Sequence, residues 1–365
     1  MVKKRFTDPR YNGVDWDSYY NDYKAFVPYI NNNYDFLILL NEFLGELNNS
    51  HTLARFTPVY QHKDQTAALG LLYDETWNHA GLLVKEVISG GPFDLADTKM
   101  RPDMIITQID GTPITKEMDW AALLNNKAGK LVSISFQSHT GGTSFTEKVM
   151  AIKPETEINT LLYQRWIKQM EHLTDSLSGG RVGYVHVRTM NDEGFRPVYE
   201  KALGKYKNAA ALILDTRYNR GGSLHEQLDN FLSGKIYLTE RREGRITNGG
   251  EPLSRWNKPS CIIMSEGNYS DAFLTPYTYQ RMGIGKLIGM PVPGTGTASW
   301  FETQINDQLS VQIAVGATYG DGQEQPTENH QVYPDIQVSD GYNAILNGKD
   351  EQLEKAVSEM LKTIK

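Results

Sequence analysis

Residues 209–215 read Ala-Ala-Ala-Leu-Ile-Leu-Asp, a near-continuous apolar run. A strand with no polar alternation belongs to a sheet covered on both faces, and that requires helices on either side of it. Val182–Val187, Cys261–Ser265 and Lys286–Val292 are further strand candidates. Helical patterns fall between them, at about 194–206, 223–232 and 271–281. This alternation predicts an α/β layered domain from residue 179 onward. A closing helix over 350–364 places Leu353, Val357, Met360 and Leu361 on one face.

The earlier part of the chain has a different character. Residues 1–60 read as mostly helical. Phe36, Leu37, Leu39, Leu40, Phe43, Leu44 and Leu47 recur at amphipathic-helix spacing, with Asn33 or Asp35 available as a cap. Asn48-Asn49 ends that helix, so Ser50-His51 lies just past its C-terminus. Residues 63–155 carry short strand candidates, such as Leu82–Val87 and Leu131–Phe136. They are separated by the turn signals Gly90-Gly91-Pro92, Asp110-Gly111 and Gly141-Gly142. That predicts a small β-rich module. Residues 156–178 read as a helical linker.

Bulk properties narrow the partners. A chain of 365 residues exceeds the size of a single ordinary core. The formal net charge is −7 and no Lys/Arg-rich block occurs, which argues against nucleic acid. Cys261 is the single cysteine, so intramolecular disulfides and cysteine-based zinc sites are excluded. No apolar run reaches membrane-spanning length. No HExxH, GxGxxG or Walker A pattern appears, so neither metal nor cofactor is expected. The basic start, Met1–Phe6, lacks the apolar region of a signal peptide, and Phe6–Tyr20 reads like the interior of a longer protein, so a fragment is expected.

Several stretches have chemical potential. Ser270, in Gly267-Asn268-Tyr269-Ser270-Asp271, sits on the turn between a buried strand and a helix. Backbone N–H groups at such a helix start are placed to stabilise an oxyanion. Read alone, the serine is more often a plain N-cap. Asp215–Gly222 follows the apolar run and ends in paired glycines: either half of an oxyanion hole or a tight turn. A serine nucleophile needs a base, and the histidines are His51, His62, His79, His139, His172, His186, His225 and His330. His186 lies in an apolar strand and reads as a core residue. His51 stands at a helix end, where it could present its ring or simply oppose the helix dipole. Glu328, in a polar loop, is a candidate to orient a base.

These pieces occur in an order that resembles the C-terminal half of the tricorn proteases, relatives of the C-terminal processing (tail-specific) serine proteases. The pieces are Ser50-His51, then Asp215–Gly222, then Ser270-Asp271, then Glu328-Asn329 ahead of Pro334-Asp335. Residues 63–157 resemble a PDZ domain through Ser89–Phe93, Met100–Ile105 and Ile109–Ile114, with Leu69-Gly70-Leu71-Leu72 similar to its carboxylate-binding loop. The resemblance implies a ClpP/crotonase-like α/β sandwich core over 158–365, an N-terminal helical segment over 1–62 and an inserted β-rich PDZ domain. It implies a serine peptidase acting on peptides or unfolded protein. Ser270 would be the nucleophile, His51 the base, and Ser50 and Glu328 the rest of a tetrad, with Glu328 acting through the Ser50 hydroxyl. The N–H groups of Asp271 and of Gly221 or Gly222 would form the oxyanion hole, and Gly70, Leu71 and Leu72 would bind a peptide end.

The tail-specific branch carries a lysine base about two dozen residues after its serine. Here that region reads Gly294-Thr295-Gly296-Thr297-Ala298-Ser299, which points to the histidine-based branch. Arg220 stands where a glycine is common, and the tricorn propeller domains are absent from the sequence. A homo-oligomer is compatible with the family, as is a bacterial envelope location, with cytoplasm open. Two rivals remain: a peptide-binding PDZ protein on a decayed protease core, and an apolar-ligand carrier.

Overall fold

The computed structural model describes residues 1–61, 63–247 and 249–364. His62 therefore lies outside the described residues. The chain divides into two compact units, one made of Met1–Val59 with everything from Glu171 onward, the other of Tyr60–Met170.

The larger unit is built on a parallel sheet in the order Ile336–Gln337, Lys286–Gly289, Ser260–Met264, Ala211–Asp215, Val182–His186. Every residue of the two strands Ala211–Asp215 and Ser260–Met264 is buried, as their unbroken apolar character demands. Leu212, Leu214, Ile262 and Met264 join the cluster formed with helices Asp192–Glu200, His225–Ser233 and Asp271–Arg281. Alternation leaves Ala211, Ile213, Cys261 and Ile263 for the face on which Glu351–Thr363 packs. Ile263 pairs with Asp215, so the two strands end level and the loops that follow them emerge side by side. That edge is where ligands bind in sheets of this type.

A second, antiparallel sheet in the same unit runs Leu53–Phe56, Leu309–Ala317, Thr297–Thr303. Helix Asn33–Gly45 packs on it through Leu44, alongside Leu47, Ala54, Ile313 and Ala314. The helix cap is Asn32, whose side chain accepts the Tyr34 and Asp35 N–H groups, rather than Asn33 or Asp35 themselves. Pairing of Leu53–Phe56 with Leu309–Ala317 fixes the start of the chain to its last third, and Ser50-His51 travels with it.

The smaller unit is an antiparallel sheet ordered Leu71–Tyr73, Leu82–Val87, Met104–Ile109, Leu131–Ser138, Ser144–Met150. Leu69, Val84, Phe93, Ile106, Ile134 and Phe136 are among the residues of its core. Residues 158–170 group with it, because Arg165 makes a two-pronged ion pair with Glu86 at 2.6 and 2.7 Å. No helix among the described residues is long and apolar enough to cross a membrane.

One buried ion cluster secures the loop after Asp215. The Arg217 guanidinium meets Asp215 (2.6 Å), Asp350 (2.8 Å) and Asp340 (3.3 Å), and bonds the Gln352 side chain at 3.1 Å. Removing one partner of such a cluster strands the opposite charges in the interior. Arg217→Met should therefore cost about 3–5 kcal/mol of folding stability, read as a lower urea midpoint. A midpoint equal to wild type would mean that the cluster is energetically idle.

Candidate active site

Ser270 occupies the turn into helix Asp271–Arg281 with φ 59° and ψ −123°, a backbone region that a non-glycine residue adopts only when its surroundings impose it. Those surroundings are specific. The Ser270 N–H donates to Thr295 Oγ1 (2.7 Å), and the Tyr269 N–H donates to the Asn219 carbonyl (2.9 Å). Asn268 Nδ2 reaches Thr216 Oγ1 at 2.9 Å. The Ser270 turn is thus pinned to the Asp215–Gly222 loop beside it.

The two glycines of that loop are sterically required. A Cβ at Gly221, whose φ is +94°, would lie 2.6 Å from Ser270 Cβ. One at Gly222, at φ +149°, would lie 2.0 Å from the Met190 carbonyl oxygen. Glycine here allows backbone to lie directly against the serine. The Gly221 N–H is already committed to Asn219 Oδ1 at 2.8 Å. Among the described residues, the Gly222 and Asp271 N–H groups have no hydrogen-bond partner. The Asp271 carboxylate turns away and accepts the Leu224 and His225 N–H groups, holding the start of helix His225–Ser233 to the Ser270 turn.

His51 meets this turn from the other sheet. Its Nε2 lies 3.0 Å from Ser270 Oγ, across 219 positions of sequence. Nδ1 is 2.9 Å from Ser50 Oγ and 3.0 Å from Thr297 Oγ1. The ring stacks on Tyr269 at 4.6 Å between centroids, and Tyr269 in turn donates its hydroxyl to the Ser50 carbonyl (2.6 Å). The His51 N–H donates to Asn49 Oδ1. His51 is 4% exposed. Burial pushes its imidazole down to about 4 from the ordinary 6.5, so near neutral pH the ring is uncharged and able to accept a proton.

Glu328 reaches the same cluster by a different bond from the expected one. Its Oε1 accepts the Ser50 backbone N–H at 2.6 Å. Oε2 is buried and makes no hydrogen bond of ordinary geometry, although the Ser50 and Thr297 hydroxyls and the Gly296 N–H lie near enough to favour the ionised form. Burial outweighs them and pushes the carboxyl above its usual range.

Ser50, His51, Ser270 and Glu328 therefore converge, as do Asp271, Gly221 and Gly222. In the smaller unit, Gly70, Leu71 and Leu72 lie at the start of an edge strand, but the Gly70 N–H is taken by Glu157 Oε2 at 2.8 Å. Tyr269, Thr295 and Thr297 were not legible as site residues, since each is defined only by what the fold brings to it. Among the described residues, no group of His, Cys, Asp and Glu is arranged to hold a metal ion.

Residues 181–338 match the description of peptidase family S41, and residues 1–45 match the tricorn protease C1 domain. Tricorn protease homolog 1 of Streptomyces coelicolor is 26% identical over 95% of this chain, and the tricorn protease of Thermoplasma volcanium is 22% identical over 99% of it. The crystal structure of the tricorn protease superposes over 100% of this chain with a TM-score of 0.84 at 20% identity. The chain is of the tricorn protease C-terminal type. It spans 33% and 35% of the two relatives' own lengths and 36% of the solved tricorn chain.

The depressed His51 value has a measurable sign. Unfolded His51 takes up its proton near 6.5 and folded His51 only near about 4. Its contribution to stability is complete above 6.5 and is lost as pH falls toward 4. An NMR titration of the ring should show a midpoint near 4; a midpoint of 6.5 would contradict the burial described.

Proposed function

We propose that this chain hydrolyses peptides or unfolded protein segments, with Ser270 as nucleophile and His51 as general base. The observation that carries the reading is the 3.0 Å approach of a neutral, buried imidazole to a serine held in a strained turn. Ser270 Oγ attacks the scissile carbonyl carbon while its proton passes to His51 Nε2. The carbonyl oxygen, now negative, turns toward the Asp271 N–H at the helix start and the Gly222 N–H, both without other partners among the described residues. His51 then gives the proton to the departing amine nitrogen, the acyl-enzyme forms, and water repeats the sequence to release the acid.

Ser50 and Glu328 complete a tetrad in this reading. The charge of Glu328 is delivered chiefly through the Ser50 backbone N–H, which fixes the 50–51 segment, with the Ser50 hydroxyl accepting from His51 Nδ1. An open groove of about 810 Å³ is bordered by Ser50, Thr295, Asn329, His330 and Tyr333, of which Ser50 and Thr295 also bond His51 and Ser270, and a peptide could lie in it. We read the core as ClpP/crotonase-like and the smaller unit as a PDZ module that adds a peptide end to the Leu71–Tyr73 edge.

A fluorophosphonate probe tests the nucleophile, since it esterifies only an activated serine. Wild type should be labelled at Ser270 and Ser270→Ala should not. His51→Ala should slow labelling by about 10⁴-fold with little change in thermal stability. Labelling at another serine would dismiss the assignment, and a wild type that stays unlabelled would favour a peptide-binding protein without catalysis.

The Glu157 carboxylate sits where the carboxylate of a bound peptide end would accept the Gly70 N–H. A peptide must displace it. Glu157→Ala should tighten binding of a peptide with a free apolar C-terminus by about tenfold in fluorescence anisotropy, because the competent state no longer competes with an internal occupant. An amidated peptide should gain nothing. Equal gains for both peptides would mean that the loop does not read a carboxylate.

A further inference from the structure

The segment 294–297 reads Gly-Thr-Gly-Thr, and the two residue types face opposite ways. A Cβ at Gly294 would lie 2.3 Å from the His330 nitrogen, and one at Gly296 would lie 2.0 Å from Thr327 Oγ1. The glycines therefore face the 327–330 stretch that carries Glu328 and let it close in. The Asn329 N–H donates to the Gly294 carbonyl across that contact, and the Thr318 N–H, just past strand Leu309–Ala317, donates to the Gly296 carbonyl, both at 2.9 Å. The alternate residues face the site. Thr295 Oγ1 accepts the Ser270 N–H at 2.7 Å, and Thr297 Oγ1 lies 3.0 Å from His51 Nδ1.

Nδ1 of His51 is thus met by two hydroxyls, at 2.9 and 3.0 Å. For Nε2 to accept the Ser270 proton, Nδ1 must carry the ring hydrogen, and one N–H then faces two oxygen acceptors. Each hydroxyl keeps its own hydrogen to give away. The other acceptor offered to Thr297 is Asn49 Oδ1 at 3.4 Å, too far for a good bond, whereas the Glu328 carboxylate is close enough to feel both hydroxyls.

We infer that Thr297 is a second positioning residue for His51, sharing with Ser50 the task of holding Nδ1–H. This rests on the Ser270–His51 reading above. When the Ser270 proton arrives at Nε2, the imidazolium keeps an acceptor at Nδ1 through either hydroxyl, so the relay has two parallel branches. Loss of one branch leaves the other, and loss of both frees the ring to rotate or change tautomer.

The whole 365-residue chain serves for the test, with the saturating rate of fluorophosphonate labelling read separately from the half-saturating concentration. Ser50→Ala and Thr297→Val should each lower the saturating rate about 10-fold, with half-saturation moved less than about twofold. Thr297→Ser should return the rate to within about twofold of wild type, since only the hydroxyl is required. The double variant should lose about 10³-fold, more than the roughly 10²-fold product of the singles. Where Thr297→Val does not fold, Thr297→Ala against Thr297→Ser makes the same comparison. A hydroxyl-free variant that labels like wild type, or a double variant equal to the product, overturns the sharing. Failure of the underlying reading looks different, because the label then misses Ser270 or survives Ser270→Ala. A readout independent of labelling is the ¹⁵N NMR spectrum of the His51 ring: the double variant should populate the Nε2–H tautomer, and an unchanged Nδ1–H tautomer counts against the inference.

Discussion

The contact between His51 Nε2 and Ser270 Oγ is the constraint on which the rest of the structure turns. Neither residue is reactive by itself. A serine hydroxyl is a weak nucleophile and an exposed imidazole is partly protonated near neutral pH. In the proposed reading their reactivity would arise from burial, which keeps the ring neutral, and from a backbone turn that leaves Ser270 partly exposed while fixing its direction. Both conditions are properties of packing, so the site is a consequence of how two sheets are placed in one unit.

Each sheet supplies part of the geometry. The parallel sheet ends Ala211–Asp215 and Ser260–Met264 level, which brings the glycine loop and the nucleophile turn together with no space for a Cβ between them. The antiparallel sheet returns Leu53–Phe56 to Leu309–Ala317 and carries Thr297 on its other strand, so the residues flanking His51 come from both chain ends. Tyr269 joins the two by stacking on the ring and bonding the Ser50 carbonyl. The Arg217 cluster closes the arrangement from behind by fastening the glycine loop to the C-terminal helix. Function here is distributed over backbone placement as much as over side chains.

The parallel core was readable because buried strands leave long apolar runs: residues 209–215 and 261–264 could be little else. The helices at 225–233 and 271–281 were placed closely for the same reason, by periodicity between those runs. The hairpin Thr297–Thr303 with Leu309–Ala317 was missed. Leu309-Ser-Val-Gln-Ile-Ala-Val carries a partial alternation, yet its partner strand opens with small and polar residues that give no pattern. The four residues Ser50, His51, Ser270 and Glu328 were picked out through order along the chain and family resemblance, and the fold brings them together. Thr295, Thr297 and Tyr269 had no such signal, since a threonine next to a glycine acquires meaning only when a distant imidazole or N–H arrives beside it. That Glu328 Oε1 also accepts the Ser50 backbone N–H had no signal in the sequence, since backbone geometry alone decides it.

A crystal structure of the chain after reaction with a fluorophosphonate tests the site most directly. The phosphorus should be bonded to Ser270 Oγ, with its anionic oxygen about 3 Å from the Asp271 and Gly222 N–H groups and His51 Nε2 still within hydrogen-bond reach of the ester. An adduct on a different side chain, or one at Ser270 whose oxygen points away from both N–H groups while His51 lies out of reach, would contradict the arrangement described.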